Sequence, residues 1–412
     1  MSRRRRSLAF CLVFALAVSA CSGGPILANP AASLRPEPPA TAGPSAVADP
    51  IPIQLPLDDS AHHRLTEWWY YTGHLQDLAT GARYGFEYVI FRAERGGFPV
   101  TWASHLAITD QGGNAFHYAQ RSVVGPQADL LANSASGPPG TASGIPGSGS
   151  SGAPAPGFSF SLGADPTDPS TAGRPAWTMQ GVGGSDRLVA QLSPAEAAAA
   201  GSPNGLGLTL DLRSAKPAVL EGGSGWIDFG PAGGSYYYSR TDLLVSGSIM
   251  VDGHTLQVSG TAWFDHQWGD FISVGGGGWD WFAVNLADGT DLTLSLVRAA
   301  DGSDVLVYGT IVDAAGRASH LDRGAFNVAV TRHWTSPATG STYPAGWSIS
   351  IPAQALSISL QPTVADQELD TRATTGVIYW EGSQAVEASH AGAAVGGQGY
   401  VELTGYGPAG QP

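Results

Sequence analysis

The segment GTAWFDHQWGDF, residues 260–271, places two acids and an imidazole among four large aromatic side chains. Asp265 and His266 are adjacent, and Asp270 follows Trp268 by two residues. A carboxyl group held against apolar rings ionises with difficulty, so its pKa rises and it can donate a proton near neutral pH. An adjacent imidazole can relay that proton or orient a water molecule. The segment therefore predicts an apolar pocket with proton-handling side chains.

A second acid between indoles follows a few residues later in the sequence. Asp280 separates Trp279 from Trp281 in the segment GGGGWDWF, residues 275–282. The faces of tryptophan rings stabilise a nearby cation by about 0.5–2 kcal/mol per well-placed ring. An acid beside such rings would suit chemistry that passes through a carbocation, whereas the glycine run before it would equally suit a hinge or turn.

Three further segments supply candidate pocket residues. EWWY, residues 67–70, places large rings on both faces of a strand, which would suit either a ligand cavity or a core and an inter-domain surface. His105 is a candidate pocket residue, although a histidine beside apolar residues is more often part of a core. Arg240 and Asp242 share a strand face and could instead form a surface ion pair. The candidate ligand-binding residues are Glu67, Trp68, Trp69, Tyr70, His105, Tyr237, Arg240, Trp268, Trp279 and Trp281.

Several common site types are not indicated by the sequence. No two histidines lie two or four residues apart, so metal ligands would have to come from distant strands, and no metal is predicted. No glycine-rich phosphate loop precedes a helix, and no cofactor is predicted. No Gly-x-Ser-x-Gly elbow occurs, which disfavours a serine hydrolase.

The first 21 residues are typical of an export signal that ends in a lipid-attachment site. Arg3 to Arg6 form a basic start, and the apolar run Leu8–Val18 is shorter than the roughly 20 residues of a membrane-spanning helix. Ser19-Ala20-Cys21 resembles a bacterial lipobox, which implies a signal peptide over residues 1–20 and acylation of Cys21. Simple secretion with cleavage near Ala20 is the alternative. We expect an exported protein, anchored at the outer face of the cytoplasmic membrane or in the periplasm.

Charge and composition limit the classes of molecule that the protein is expected to bind. Removing four arginines with the signal peptide takes the formal charge from −14 to −18, which argues against nucleic acid as a partner. Residues 21–50 are rich in Pro, Ala, Ser and Gly and predict a disordered tether. The expected partners are thus an apolar small molecule, the membrane through a lipid on Cys21, and a transporter that would exchange the ligand with the tethered protein.

Period-two alternation runs through most of the remaining chain and predicts an all-β fold. Leu206, Leu208, Leu210 and Leu212 share one strand face, and Asp252-Gly253 marks a tight hairpin. The one clear helical patch follows Ser193. The chain is long enough for two domains, predicted over residues 51–270 and 271–412, although the joint could fall near Gly230. A low-complexity insertion over about residues 125–157 interrupts the first domain.

Six segments, in the same order, resemble a lipocalin-like family that includes hydroxyneurosporene synthase, the carotenoid 1,2-hydratase. They are EWWYYTGHL at 67–75, YYYSRTDLLVSG at 236–247, GTAWFDHQWGDF at 260–271, GWDWFAVNL at 278–286, SPATGSTYPAGWSISIP at 336–352 and GYVELTGYG at 399–407. The similarity covers about residues 55–408 without the insertion. It implies two lipocalin-like antiparallel β-barrels packed side by side.

The resemblance also implies a reaction. The hydratase adds water across a terminal isoprenoid double bond by protonation and capture of the carbocation, without a cofactor. On that basis the predicted catalytic residues are Asp265 or Asp280 as the acid and His266 as the group that orients water, with Trp268, Trp279 and Trp281 as walls. The alternatives are a lipid carrier without catalysis, which would serve a transporter, and a structural lipoprotein in which these residues only form the core between the domains.

Overall fold

The computed structural model describes residues 49–135, 156–165, 168–271 and 276–407. Antiparallel strands make up most of these ranges, so the predicted all-β class is confirmed. The α-helices in them are two, α1 (Leu130–Ala135) and α2 (Pro194–Ala199). Helix α2 begins at the predicted Ser193, whose side chain accepts from the Glu196 backbone while the Glu196 carboxylate accepts from the Ser193 backbone.

The first sheet is a nearly closed antiparallel barrel. Its strands follow the order β4-β3-β2-β1-β12-β11-β8-β7-β6-β5, with β9 and β10 paired to β11. The strands are β1 (Thr66–Asp77), β2 (Arg83–Ala93), β3 (Thr101–Asp110), β4 (Ala115–Val124), β5 (Phe158–Leu162), β6 (Trp177–Val182), β7 (Ser185–Gln191), β8 (Leu206–Ser214), β9 (Val219–Leu220), β10 (Trp226–Asp228), β11 (Gly234–Val251) and β12 (His254–Gly269).

The second sheet is a half-barrel that lies beside the first, and the predicted side-by-side architecture is confirmed. Its order is β16-β15-β14-β13-β24-β23-β21-β20-β17, with β22 paired to β23, while β18 and β19 pair separately. The strands are β13 (Gly276–Leu286), β14 (Asp291–Ala299), β15 (Asp304–Val312), β16 (Ala318–Asp322), β17 (Asn327–Val330), β18 (His333–Thr335), β19 (Thr342–Pro344), β20 (Trp347–Ile351), β21 (Leu356–Pro362), β22 (Glu368–Asp370), β23 (Ile378–His390) and β24 (Ala393–Thr404).

The longest hairpin of the first sheet joins β11 to β12 through Asp252-Gly253, as the sequence predicts. Both residues have positive φ, 48° and 79°, which is the backbone of the two-residue turn that matches strand twist. The β23–β24 hairpin has the same geometry at Ala391-Gly392, with φ of 50° and 84°. Since alanine rarely adopts positive φ, the sequence gives no such signal there.

Strands β1, β2, β3, β11 and β12 are buried on both faces over much of their length. One face packs inside the first sheet, where Trp69, Phe264 and Trp268 join its core. The other face meets the second sheet through a smaller cluster that includes Tyr70 and Trp281. A strand with two buried faces carries large side chains at successive positions, which is why these segments are so aromatic.

Part of the predicted insertion is ordered. Helix α1 begins after Asp129, whose carboxylate accepts from the backbone N–H groups of Leu131 and Ala132 at 3.0 Å. The predicted signal peptide, the tether up to residue 48 and the centre of the insertion lie outside the described residues. Within the described ranges, no helix has the length and apolar character needed to cross a bilayer.

Candidate active site

Neighbouring residues of β12 point to opposite faces of the first sheet, and this divides the segment GTAWFDHQWGDF. Phe264 and Trp268 belong to the core inside the first sheet, whereas Trp263 belongs to the cluster between the sheets. By the same alternation, Asp265 faces the second sheet, and His266 stacks inside the first. The acid and the imidazole are therefore on opposite sides of one strand.

A cavity of about 250 Å³, which we call the inter-sheet cavity, lies between the two sheets. Its lining is mainly apolar, and both sheets supply walls. Aromatic rings from the first sheet face Trp279 and Trp281 of the second. The lining includes Trp68, Tyr70, Phe91, His105, Tyr237, Asp265, Gln267, Trp279, Trp281, Tyr308, Tyr379 and Glu402.

Asp265 is the buried acid of the first-sheet wall, with 3% of its surface exposed. Its Oδ2 atom accepts from the Tyr237 hydroxyl at 2.8 Å, and its Oδ1 atom lies 2.8 Å from the Trp263 ring nitrogen. The Ser239 hydroxyl lies 2.5 Å from Oδ1. Trp281 of the second sheet donates to the Tyr237 oxygen at 3.1 Å, so the phenol hydrogen is directed at Asp265.

Burial raises the pKa of Asp265 to about 8, although hydrogen bonds from Ser239, Tyr237 and Trp263 act in the opposite direction. Desolvation is the larger effect because the carboxyl group is fully enclosed and no Arg, Lys or His of the described residues forms an ion pair with it. The raised pKa therefore favours the protonated form of Asp265 near neutral pH. A protonated acid in an aromatic cavity can donate that proton to a bound ligand.

Glu402 is the acid of the opposite wall. It lies on β24, directly across from Trp281 on β13 and from Glu381 on β23. Burial raises the pKa of Glu402 to about 7, and burial also raises that of Glu381 well above its ordinary value. Two carboxyl groups at paired positions repel each other when both are ionised, which favours the protonated state of one.

His105 lines the same cavity as part of a hydrogen-bonded chain. Its Nδ1 atom lies 2.7 Å from the Tyr379 hydroxyl, which lies 2.8 Å from a Glu87 oxygen, and its Nε2 atom lies 3.1 Å from the Thr374 hydroxyl. Burial lowers the pKa of His105 to about 3, so the ring is neutral, and burial raises the pKa of Glu87. The chain thus joins the first sheet to the second through uncharged groups.

His266 belongs to a separate cluster inside the first sheet. Its Nε2 atom lies 2.9 Å from Glu67 Oε1, and His62 Nδ1 lies 2.7 Å from the same oxygen. Burial alone would raise the pKa of Glu67, but the His62 charge and both imidazole hydrogen bonds outweigh it and lower that pKa to about 2. Burial would lower the pKa of His62, but Glu67 raises it to about 9.

These three residues are the one group in the described part of the chain whose potential metal-ligand atoms all lie within 4.8 Å of one another. The two contacts to Glu67 have hydrogen-bond lengths, shorter than the roughly 3.3 Å between ligand atoms around a tetrahedral zinc ion with bonds of about 2.0–2.1 Å. Arg92 also lies 3.9 Å from Glu67 and supplies positive charge. Hydrogen bonding therefore accounts for the cluster without a metal.

A family model described as AttH-like matches residues 46–138 and 162–406 of the sequence. The chain belongs to the AttH-like family. The predicted family resemblance is confirmed by this match, which covers most of the sequence. A search among curated proteins finds no match for this AttH-like chain.

Three solved structures resemble this AttH-like protein over most of their length. A candidate AttH from Nitrosomonas europaea is 28% identical, with a TM-score of 0.67, over 88% of this chain and 99% of that one. Kievitone hydratase from Nectria haematococca is 17% identical, with a TM-score of 0.55, over 82% and 88%. CghA with Sch210972 is 10% identical, with a TM-score of 0.50, over 83% and 89%. At the last two identities the similarity establishes the fold.

The structure of the AttH-like protein divides the predicted site residues into two sets. Those that line the inter-sheet cavity are Asp265, Trp68, Tyr70, His105, Tyr237, Trp279 and Trp281. Those that do not line it are His266, Asp280, Glu67, Trp69, Arg240 and Trp268. The two sets diverge because successive residues of a strand face opposite sides.

Asp280 and Arg240 each have a structural partner in the AttH-like fold. Asp280 forms an ion pair with Arg298 and accepts from Tyr406 at 3.0 Å, on the face of β13 opposite Trp279 and Trp281. Arg240 contacts Asp59 at 3.0 Å inside the first sheet, and not the predicted Asp242. A bulge in β11 after Arg240 breaks the regular alternation that linked it to Asp242.

Sequence reasoning missed the acids supplied by other parts of the AttH-like chain. Glu402 lies in the segment GYVELTG, where Tyr400, Glu402 and Thr404 alternate with Val401 and Leu403. That alternation marks a polar face on a buried strand and could have identified it. Nothing comparable marks Glu221, which lies in a short 3₁₀ turn over Glu221–Gly223.

Proposed function

We propose that this AttH-like protein binds an apolar ligand in the inter-sheet cavity and adds water to a C=C bond by acid catalysis. The observation that carries the proposal is Asp265, a buried carboxyl group with a raised pKa that faces an aromatic cavity. The hydratase among the structures of this fold supports the reaction class.

The proposed reaction uses groups already in place. Asp265 transfers its proton to one carbon of the double bond, and positive charge develops on the other carbon. The rings of Trp279 and Trp281 stabilise that charge. A water molecule attacks the cation and then loses a proton to the Asp265 carboxylate, which restores the acid. Glu402 on the opposite wall is a second group that can accept or hold a proton.

The cavity limits the ligand. Its volume of about 250 Å³ is slightly below the roughly 300–1,000 Å³ of most small-molecule pockets. A long isoprenoid, carotenoid or lipid would therefore place one end between the sheets and leave the remainder outside. The terminal double bond of an isoprenoid chain is the part that would reach Asp265.

The test compares Asp265, which lines the cavity with Trp279 and Trp281, with Asp280, which lies between these two tryptophans in the sequence. Asp265→Asn removes the cavity acid, whereas Asp280→Asn is the matched control because Asp280 faces away from the cavity. With acyclic carotenoids as substrates and mass spectrometry of the products, we expect Asp265→Asn to lose about 10²–10⁴-fold in rate and the control to retain most of it. Equal, negligible product from wild type and both variants would contradict the proposal.

A carrier without catalysis is the second candidate function. It is favoured by the mainly apolar lining, which is sufficient to hold a lipid or isoprenoid without any reaction. In this case the protein would present its ligand to a transporter as an accessory lipoprotein. Mass spectrometry of an organic extract of the gently purified protein separates the two, since a carrier yields an unmodified ligand and Asp265→Asn leaves its binding intact.

Export and lipid anchoring are also proposed. Cys21 lies outside the described residues. Acylation is supported by the sequence that precedes it, which has a basic start, then a short apolar run, then small residues. The anchor would hold the protein at the outer face of the cytoplasmic membrane or in the periplasm. Cys21→Ser is expected to move the protein from the membrane fraction to the soluble fraction, and an unchanged distribution would contradict the anchor.

A further inference from the structure

Glu221 is a fully buried acid that connects the two sheets. Its turn follows β9 of the first sheet, yet its carboxylate contacts Thr293 of β14 at 3.3 Å and Thr310 of β15 at 2.6 Å. The third contact is with the hydroxyl of Ser239 on β11 at 2.9 Å. Among the described residues, no Arg, Lys or His forms an ion pair with Glu221 or with Asp265.

Ser239 lies between these two acids. Its oxygen is 2.5 Å from Asp265 Oδ1 and 2.9 Å from Glu221 Oε1. A serine hydroxyl has one hydrogen to donate, and an ionised carboxylate has none. Ser239 can therefore donate to only one acid, and the other contact is a hydrogen bond only if that acid is protonated and donates to the serine oxygen. The three side chains together need one additional proton.

We propose that Glu221 is a positioning residue that shares this one proton with Asp265 through the Ser239 hydroxyl. In one arrangement Asp265 donates to Ser239 and Ser239 donates to an ionised Glu221. In the other, Glu221 donates to Ser239 and Ser239 donates to an ionised Asp265. The two interconvert when one O–H bond breaks and one forms at each end of the serine, with no net gain or loss of protons.

The surroundings favour one shared proton and one negative charge. Burial raises the pKa of both acids, and the Glu221 charge raises that of Asp265 further. The other titratable groups that face the pair are Tyr237, Tyr308 and Glu381, and burial raises the pKa of each and so disfavours a further charge. Two neighbouring carboxyl groups without a cation ionise in separate steps, as in paired catalytic aspartates.

Glu221 thereby keeps Asp265 protonated at a pH where an ordinary carboxyl group is ionised. The value of this for turnover rests on the proposed function, because a general acid must hold its proton until the ligand is in place. The shared proton itself requires no ligand and can be measured in the free protein.

The experiment follows the side-chain carboxyl carbon of Asp265 by NMR in protein labelled with ¹³C-aspartate, with the signal assigned by its loss in Asp265→Asn. We expect Glu221→Gln to move the titration midpoint of Asp265 to lower pH by about 1 unit or more, because the like charge is removed and an amide can donate to Ser239. The matched control is Glu368→Gln, a buried glutamate that also accepts from three hydroxyl groups, those of Ser336, Thr339 and Tyr343, but not from Ser239.

A second pair of measurements separates proton sharing from simple structural damage. Ser239→Ala should reduce the effect of Glu221→Gln by at least half when the two are combined. Thr310→Val removes a hydroxyl that donates to Glu221 and so destabilises the ionised form of Glu221, while the side chains of Ser239 and Asp265 are not altered. Glu221 should then hold the shared proton more strongly, and the titration midpoint of Asp265 should fall. An Asp265 midpoint that neither Glu221→Gln nor Thr310→Val moves in folded protein would overturn the inference.

The outcome also distinguishes the inference from the proposed function. If the midpoint moves as expected but no ligand is hydrated, the shared proton stands and the reaction is wrong. If hydration depends on Asp265 but Glu221→Gln leaves the midpoint and the pH profile unchanged, Glu221 has no positioning role.

Discussion

The protonation of Asp265 depends on which of its neighbours donates. Tyr237, Ser239 and Trp263 each place a donor near its oxygens, and such bonds favour the ionised form. Burial disfavours that form and is the stronger effect, since the pKa is raised to about 8. Removal of the Tyr237 or Trp263 donor should therefore move the pKa of Asp265 further upward, and each can be tested separately.

Tyr237→Phe is the most direct test because it removes one hydroxyl and retains the ring. As a proton donor, Asp265 should support a rate that falls as pH rises through its pKa. Loss of the Tyr237 hydrogen bond raises that pKa, so the alkaline fall in rate should move to higher pH by about 1 unit. A profile of kcat/KM against pH measures the shift.

Tyr308→Phe is the control for this substitution, because Tyr308 also lines the cavity but makes no hydrogen bond with Asp265. It should leave the position of the alkaline fall unchanged. A shift in the opposite direction for Tyr237→Phe would show that Asp265 donates to the phenol oxygen instead.

Strand β12 shows how one element supplies both stability and chemistry. Its even-numbered residues Phe264, His266 and Trp268 lie inside the first sheet, and its odd-numbered residues Asp265 and Gln267 line the cavity. Because the strand is fixed from both sides, its pairing with β1 and β11 leaves little freedom for either set of side chains.

Substitutions on the two faces of β12 should have different effects. Phe264→Ala removes a fully buried ring from the first-sheet core and should lower the free energy of unfolding by about 3–5 kcal/mol, with ligand affinity per folded molecule unchanged. Gln267→Ala should change affinity and cost less than about 1.5 kcal/mol of stability. Urea unfolding and fluorescence titration with a polyene measure the two quantities. Equal losses of stability in both variants would contradict this division.

Most strands and one hairpin could be predicted from the sequence, whereas the packing of one sheet face against another could not. Alternation was sufficient to identify strands and the Asp252-Gly253 hairpin, because side-chain period and turn chemistry are local. It also implies that Asp265 and His266 diverge. The placement of Asp265 close to Glu221, 44 positions away, and across the cavity from Glu402, 137 positions away, depends on tertiary packing, of which one sequence carries no signal.

The molecule as a whole contains several acids whose pKa is raised because they are buried. Asp265, Glu402 and Asp186 have pKa values raised to about 8, 7 and 6. A group with a raised pKa binds more protons in the folded state than in the unfolded state, so unfolding becomes easier as pH rises between its two pKa values. His62, raised to about 9, acts in the same direction, since its stabilising charge is lost as pH rises through that value.

The free energy of unfolding should therefore fall between pH 6 and pH 8.5. Each fully buried acid of the Asp265 type should contribute about 2 kcal/mol to the fall. Urea unfolding at the two pH values, with equal m values, measures it. Asp265→Asn should reduce the difference, and Asp280→Asn, whose acid is paired with Arg298, should reduce it less. Greater stability at pH 8.5 than at pH 6 would contradict the assigned protonation states.

The inter-sheet cavity has walls from both sheets, with Asp265 on one and Trp281 with Glu402 on the other. Neither half of the chain would contain this cavity if it were expressed alone. A bound molecule would then contact both halves, and its binding free energy would add to the free energy of their association. Any mutation that loosens the docking of the halves should weaken binding even when it touches no lining residue.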